Sequence, residues 1–151
     1  HMSFTEDGEI LKPLQPAFIV QAGSQQANLA VDTTVTLQFD SEIADVGANF
    51  ASYTFTAPVT GKYQMNVQTY FAHFQIDSAY YNLRLVTSNR TYYSIFNSGG
   101  FDATGYQSIV LTVLADMDAS DTALVQLTIS GGTAAADLQA DNGTFSGFLV
   151  G

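Results

Sequence analysis

The chain has 151 residues and a formal charge of −10, from fourteen Asp and Glu against four Lys and Arg. So few cations cannot form the basic patch that phosphate binding needs, which sets aside nucleic acid and disfavours anionic membrane surfaces. With no Cys, disulfides, thiolate metal sites and a cysteine nucleophile are excluded too.

The length suits one domain, which buries about two-thirds of the surface of its unfolded chain. Charged residues make up 12% against a typical ~25%, so part of the surface is expected to be covered by partners. No apolar run approaches the ~20 residues of a membrane helix, and no membrane insertion is expected. His1-Met2 has the look of an expression remnant. Residues 1–15, with Glu6, Asp7, Glu9 and Pro13, read as a polar leader or linker, and residues 16–151 as a single domain.

Ala17 to Gln21 is the first predicted strand, and Val35 to Phe39 alternates apolar and polar residues as the second. Asp40 to Asn49 reads as an acidic loop. Phe50 to Thr56 leads through Ala57-Pro58-Val59-Thr60-Gly61 into the longest alternation in the chain. There Tyr63, Met65, Val67, Thr69 and Phe71 share one face, and Lys62, Gln64, Asn66 and Gln68 the other. The first face is core; the second is either solvated or meets another copy of the chain. Ala79 to Thr87 turns at Ser88-Asn89-Arg90 into a hairpin partner, Tyr92 to Phe96. Ser98-Gly99-Gly100 breaks the chain. Gln107 to Leu114 and Ala123 to Ile129 are expected to form another hairpin around the loop Asp116 to Asp121. A small, polar run reaches Gly143, and Thr144 to Val150 is the last strand. No segment shows a clean helical period, so the fold class is all-β: an antiparallel sandwich of about eight to ten strands.

The order of Phe18, Phe39 and Phe50, the turn from Phe55 to Tyr63 (F-x-x-P-x-x-G-x-Y), and the terminal Phe145-Ser146-Gly147-Phe148-Leu149-Val150 resemble the globular head of complement component 1q and its tumour-necrosis-factor-like relatives. The resemblance covers Gln15 to Val150. It implies a ten-stranded antiparallel jelly roll that assembles as a homotrimer, with the first, last and long central strands toward the three-fold axis. Tyr63, Tyr70, Phe148 and Val150 are the candidates for that axis. The family's penultimate hairpin usually carries a Gly-Asp pair; here that stretch is Ala115-Asp116-Met117-Asp118. The lead-in, Gly8-Glu9-Ile10 followed by Pro13 and Gln15-Pro16-Ala17-Phe18, is similar to that of such heads at the tips of phage and bacterial fibre proteins.

Catalytic chemistry has little to stand on. His73 is the one histidine outside the first residue, no Gly-x-Ser-x-Gly elbow surrounds a serine, and Gly99-Gly100 and Gly131-Gly132 lack the Lys of a phosphate loop. Asp40-x-Glu42-x-x-Asp45 and Asp116-x-Asp118-x-x-Asp121 share a spacing of carboxylates that suits Ca²⁺. Asp116, Asp118 and Asp121 are the stronger candidate, and no cofactor is otherwise required. Solvated strand connections are the plainer account of both. Tyr80, Tyr92, Tyr93 and Tyr106 interleave with Asn97 and Asp102. Rings to stack on and planar polar groups around them are what a sugar site needs, although Tyr is also common in strands.

The expected function is a non-enzymatic trimeric recognition head, at the tip of a fibre or surface protein of a phage or bacterium. It would bind a cell-surface glycan or protein receptor through exposed loops. The alternatives are a structural trimerisation cap without a ligand and a carbohydrate-active enzyme using loop carboxylates.

Overall fold

The computed structural model describes residues 2–100 and 105–151. Apart from one short turn of 3₁₀ helix at Ser98–Gly100, its regular structure is all strand. The first half contains β1 (Ser3–Phe4), β2 (Ile10–Leu11), β3 (Ala17–Gln21), β4 (Thr34–Thr36), β5 (Ser41–Val46), β6 (Phe50–Ala51), β7 (Thr54–Thr56) and β8 (Gly61–Gln68). The second half contains β9 (Phe71–Phe74), β10 (Tyr80–Thr87), β11 (Thr91–Phe96), β12 (Gly105–Gln107), β13 (Val110–Met117), β14 (Thr122–Ser130), β15 (Asp137–Leu138) and β16 (Thr144–Leu149).

Two sheets form the sandwich. One has the order β13-β8-β16-β3-β5; the other runs β11-β10-β14-β7-β6, with β4 also paired to β14. All ladders between strands are antiparallel. A three-stranded sheet, β12-β9-β15, repeats the order β13-β8-β16 and continues it along the same three stretches of chain. The ribbon breaks because the Thr69 hydroxyl takes over the ladder: its Oγ1 donates to the Ile109 carbonyl at 3.0 Å and accepts the Ile109 N–H at 3.1 Å. The long alternation still holds through the break, since Tyr63, Met65, Val67, Thr69 and Phe71 are all fully buried.

That burial corrects one expectation. Tyr63 lies inside the sandwich, edge-on to Phe55 at 5.5 Å, with its hydroxyl donating to the Val59 carbonyl at 2.7 Å. It has no exposed surface to offer a second chain.

Other differences follow from how strands choose partners. β13 pairs with β8, and β14 pairs with β10, so the loop between them carries the chain from one sheet to the other and is not a hairpin turn. The segment expected as an acidic loop forms the edge strand β5. There Asp45 accepts the N–H groups of Asn49 (3.0 Å) and Phe50 (2.9 Å), so its carboxylate holds the following turn. Within the expected leader, β1 and β2 close a short hairpin.

The core is aromatic. Phe18 stacks on Phe55 across the sandwich at 4.6 Å and takes the edge of Phe145 at 4.9 Å. A second group, Phe74 stacked on Tyr81 at 4.0 Å and edge-on to Phe96 at 5.3 Å, ties the three-stranded sheet to β10 and β11. Beside it, Asp137 is almost completely buried. Its carboxylate accepts the Asn28 N–H (2.7 Å), the Gln25 amide (2.6 Å) and Nδ1 of His73 (2.8 Å). His73 itself sits at φ 50°, in the left-handed region.

Two predictions follow. Gly147 faces inward, and a Cβ there would lie 2.5 Å from Met65 Sδ and 2.8 Å from a Phe18 ring carbon. Gly147→Ala is expected to cost about 1–3 kcal/mol by overpacking, read as a lower urea midpoint at unchanged slope. Burial pushes the Asp137 carboxyl up, but the Asn28, His73 and Gln25 hydrogen bonds together hold it below its ordinary value. Its stabilisation is therefore present above the unfolded pKa of about 3.9 and is lost as pH falls through the folded value. Asp137→Asn should melt below the natural chain at pH ~7, and the gap should narrow below pH ~4.

Candidate functional site

Each sheet presents an outward face, and the two differ in chemistry. On the five-stranded sheet, the strand parity that buries Tyr63, Leu111, Phe145 and Phe18 turns alternate residues outward. Cross-strand partners line up in rows: Leu114, Gln64, Phe148, Ala17 and Val46 in one, and Thr112, Asn66, Ser146, Ile19 and Ala44 in the next. Leu114 is 56% exposed and Phe148 45%. Ile19, Val110 and Val150 are exposed beside them. The strands β13, β8, β16 and β3 carry only two charges, Asp116 and Lys62, which are cross-strand partners at one end. Leu114, Phe148, Ile19, Val110 and Val150 thus put exposed apolar side chains on this face, among the polar Gln64, Asn66, Thr112 and Ser146.

Phe148 and Val150, two of the axis candidates, lie on this face. Tyr70 lies beyond the break, half-buried and stacked on Tyr106 with rings 5.5 Å apart and 3° from parallel. Leu114 and Val110 were not legible as outward residues, because Val110-Leu111-Thr112-Val113-Leu114-Ala115 is apolar at both parities.

The aromatic residues expected to form one sugar site are separated. Tyr80 and Tyr93 are exposed on the outward face of the six-stranded sheet, and Asn97 is exposed just past the end of β11. Tyr92 points the other way: it opposes Leu85 in the ladder and packs against the core. Burial raises its phenol pKa, with the Arg90 charge acting against that rise. Tyr106 belongs to the three-stranded sheet and stacks on Tyr70 in the break before it, and Asp102 lies outside the described residues. Neighbouring strand positions alternate faces, so Tyr92 and Tyr93 cannot serve one surface.

Nor do Asp116, Asp118 and Asp121 converge as a Ca²⁺ site. Asp116 accepts from the Arg90 guanidinium at 2.9 Å, joining the start of β11 to β13. Its own backbone amide lowers its pKa most, slight burial acts the other way, and Arg90 and Lys62 lower it further. Asp121 spends its carboxylate on the Asp118 N–H at 2.8 Å, closing the crossover loop. No group of three acidic or histidine side chains able to hold a metal occurs among the described residues. Asp40 and Asp45 are likewise engaged with the Gly23 N–H and with Asn49 and Phe50. His73 is largely exposed, but its Nδ1 is taken by Asp137.

Sequence reasoning also missed Arg84. It lies on the outward face of β10, where its Nη2 donates to Thr34 Oγ1 at 2.6 Å and Thr128 Oγ1 at 2.5 Å. The signal was present: Arg84 is the one charge in the run Ala79 to Thr87.

Comparison with known proteins agrees with this geometry. No curated protein matches the chain in sequence. Among solved structures, the globular domain of a zebrafish complement 1qA protein superposes with a TM-score of 0.61 at 19% identity, covering 91% of this chain and 98% of its own. The PRD1 vertex protein P5 gives 0.60 at 13% identity, over 99% of this chain and 82% of that one. Murine APRIL gives 0.61 at 10% identity, over 90% and 99%. At such identities the likeness is one of fold: the jelly roll of the C1q and tumour-necrosis-factor-like proteins. Residues 17–150 match the C1q domain model, and the chain belongs to the C1q domain family.

Proposed function

We propose that the chain is a non-enzymatic recognition head, working as a homotrimer at the tip of a fibre or surface appendage of phage or bacterial origin. It binds a cell-surface glycan or protein receptor outside the cell or on a virion. The observation that carries this reading is the outward face of the five-stranded sheet. Leu114, Phe148, Ile19 and Val150 form an apolar surface of the kind that obligate interfaces cover.

Charge supports the same choice. Three chains of formal charge −10 repel one another unless the contact surface is nearly free of carboxylates, and β13, β8, β16 and β3 offer only the opposed Lys62 and Asp116, with Glu42 and Asp45 set apart on the edge strand β5. Trimers are typical of C1q and tumour-necrosis-factor-like domains, and the likeness to the PRD1 vertex protein favours a virion or fibre setting. A rigid trimer engages a repetitive surface through three weak sites at once, which raises avidity without any new contact. The carboxylates of Asp45, Asp121 and Asp137 hold backbone N–H groups, which favours binding over hydrolysis.

The test is the solution mass. Light scattering is expected to give three times the 16.2 kDa chain. Phe148→Glu with Leu114→Glu should give single chains that keep an all-β circular-dichroism spectrum and lose binding to whole cells. A natural chain that remains a single 16.2 kDa subunit overturns the proposal.

A further inference from the structure

The six strands β4, β6, β7, β10, β11 and β14 contain no Asp or Glu, although the chain has fourteen. Their one charged residue is Arg84, on β10 next to the edge strand β11 and facing outward, since Leu83 and Leu85 on either side are buried. Arg84 forms no ion pair among the described residues, whose salt bridges are Arg90 with Asp116 and His73 with Asp137. The hydroxyls of Thr34 and Thr128 hold its guanidinium through Nη2. Its Nε is buried and has no hydrogen-bond partner, and the same is true of Oδ1 of Asn82, two residues earlier on the same face. Arg84 is directly opposite Tyr93 and Asn82 opposite Ile95, with Tyr93 56% and Ile95 61% exposed.

We infer that this face is a binding site for a carboxylate-bearing glycan, with Arg84 receiving the acid group and the Tyr93 ring carrying the sugar ring. Resting on the recognition-head reading, it supplies that head with a ligand class. An arginine fixed in place without a carboxylate is arranged for an anion from outside the chain, because guanidinium and carboxylate match in charge and in planar geometry. Nε of Arg84 and Oδ1 of Asn82 are both closed to solvent, so the acid group is received by the Nη N–H groups of the guanidinium, which Thr34 and Thr128 hold in place. The exposed tyrosine adds a flat apolar surface for a ring. Charge complementarity is local: the strands of this face carry no carboxylate, and Asp32, in the loop before β4, has its carboxylate engaged by the Gly131 N–H.

The experiment titrates the intact chain with sialyllactose and with oligogalacturonate, each beside its neutral counterpart, lactose or oligogalactose. At least one acid probe is expected to bind about tenfold or more tighter than its counterpart, as a charged hydrogen bond implies, with the preference shrinking as salt is raised. Preference for the sialylated probe identifies an animal-cell source and for the uronate a plant or microbial one; either supports the site. Arg84→Gln should abolish the preference, and Tyr93→Ala should weaken both acid and neutral binding, with the solution mass unchanged in each. Thr34→Val tests whether Arg84 is only a staple between strands: it removes one acceptor, and should lower the melting temperature while keeping the acid preference. Equal binding of acid and neutral probes, an acid preference retained in Arg84→Gln, or preference for poly-glutamate over every glycan overturns the inference. Cell binding by the trimer that survives Arg84→Gln overturns this site alone, whereas a monomeric natural chain removes the recognition-head reading and leaves the acid titration to decide the site.

Discussion

Phe18 is where the two sheets meet, and most of the structure depends on that contact. Its ring stacks on Phe55 of the opposite sheet at 4.6 Å and lies 5.3 Å from Phe50, while Phe145 approaches from the neighbouring strand. The rings can meet only if β3, β7 and β16 keep their registers, since a slip of one residue would turn every side chain to the opposite face. The turn between β7 and β8 serves the same contact. Phe55 and Tyr63 touch on its inner side, and the Tyr63 hydroxyl closes back onto Val59. Gly61 is needed because a Cβ there would lie 2.6 Å from a Leu149 methyl carbon and 3.2 Å from the Gly151 carbonyl oxygen. The F-x-x-P-x-x-G-x-Y pattern is thus a description of how one aromatic cluster and the C-terminal strand are held together.

With the interior fixed in this way, the outward faces are free to differ, and their charges do. Carboxylates are concentrated in loops and on the edge strand β5, many of them engaged with backbone N–H groups that loops would otherwise leave unpaired. Four strands of one sheet, β13, β8, β16 and β3, carry a single opposed pair, and the whole of the other sheet carries one arginine. In a chain of formal charge −10, placing carboxylates in loops, where they hold those N–H groups, also leaves two surfaces that other molecules can approach without crossing a carpet of like charge.

The sequence made the architecture readable because the strong signals were local. Alternation from Tyr63 to Phe71, the Ser88-Asn89-Arg90 turn and the spacing of the aromatic residues all survive in the structure. Partner choice was less readable. β13 and β14 are adjacent in the chain and both apolar, which is also what a hairpin looks like; only the packing of the sandwich sends them to different sheets. Site residues were the hardest. Proximity in sequence suggested that Tyr92 and Tyr93 act together, but in a strand it places them on opposite faces. Asp116, Asp118 and Asp121 have ligand-like spacing, yet each bond that Asp116 and Asp121 make is spent inside the chain. Arg84 stood out in the sequence as the one charge between Ala79 and Thr87, but that two hydroxyls hold it on a face whose strands carry no carboxylate shows only once the strands are paired.

The two outward faces are not interchangeable, and that decides which one an assembly would use. Covering the six-stranded sheet with a second copy would bury Arg84 with no carboxylate to meet it, because the same face of the copy also lacks one. An unpaired buried guanidinium is costly enough to oppose such a contact, whereas Leu114, Phe148 and Ile19 lose only their exposure to water. Self-association, where it occurs, would therefore fall to the five-stranded sheet by the chemistry of its rival. The face left outward would be the one that holds Arg84, so that the covering of one sheet and the availability of the other would follow from a single property of the sandwich.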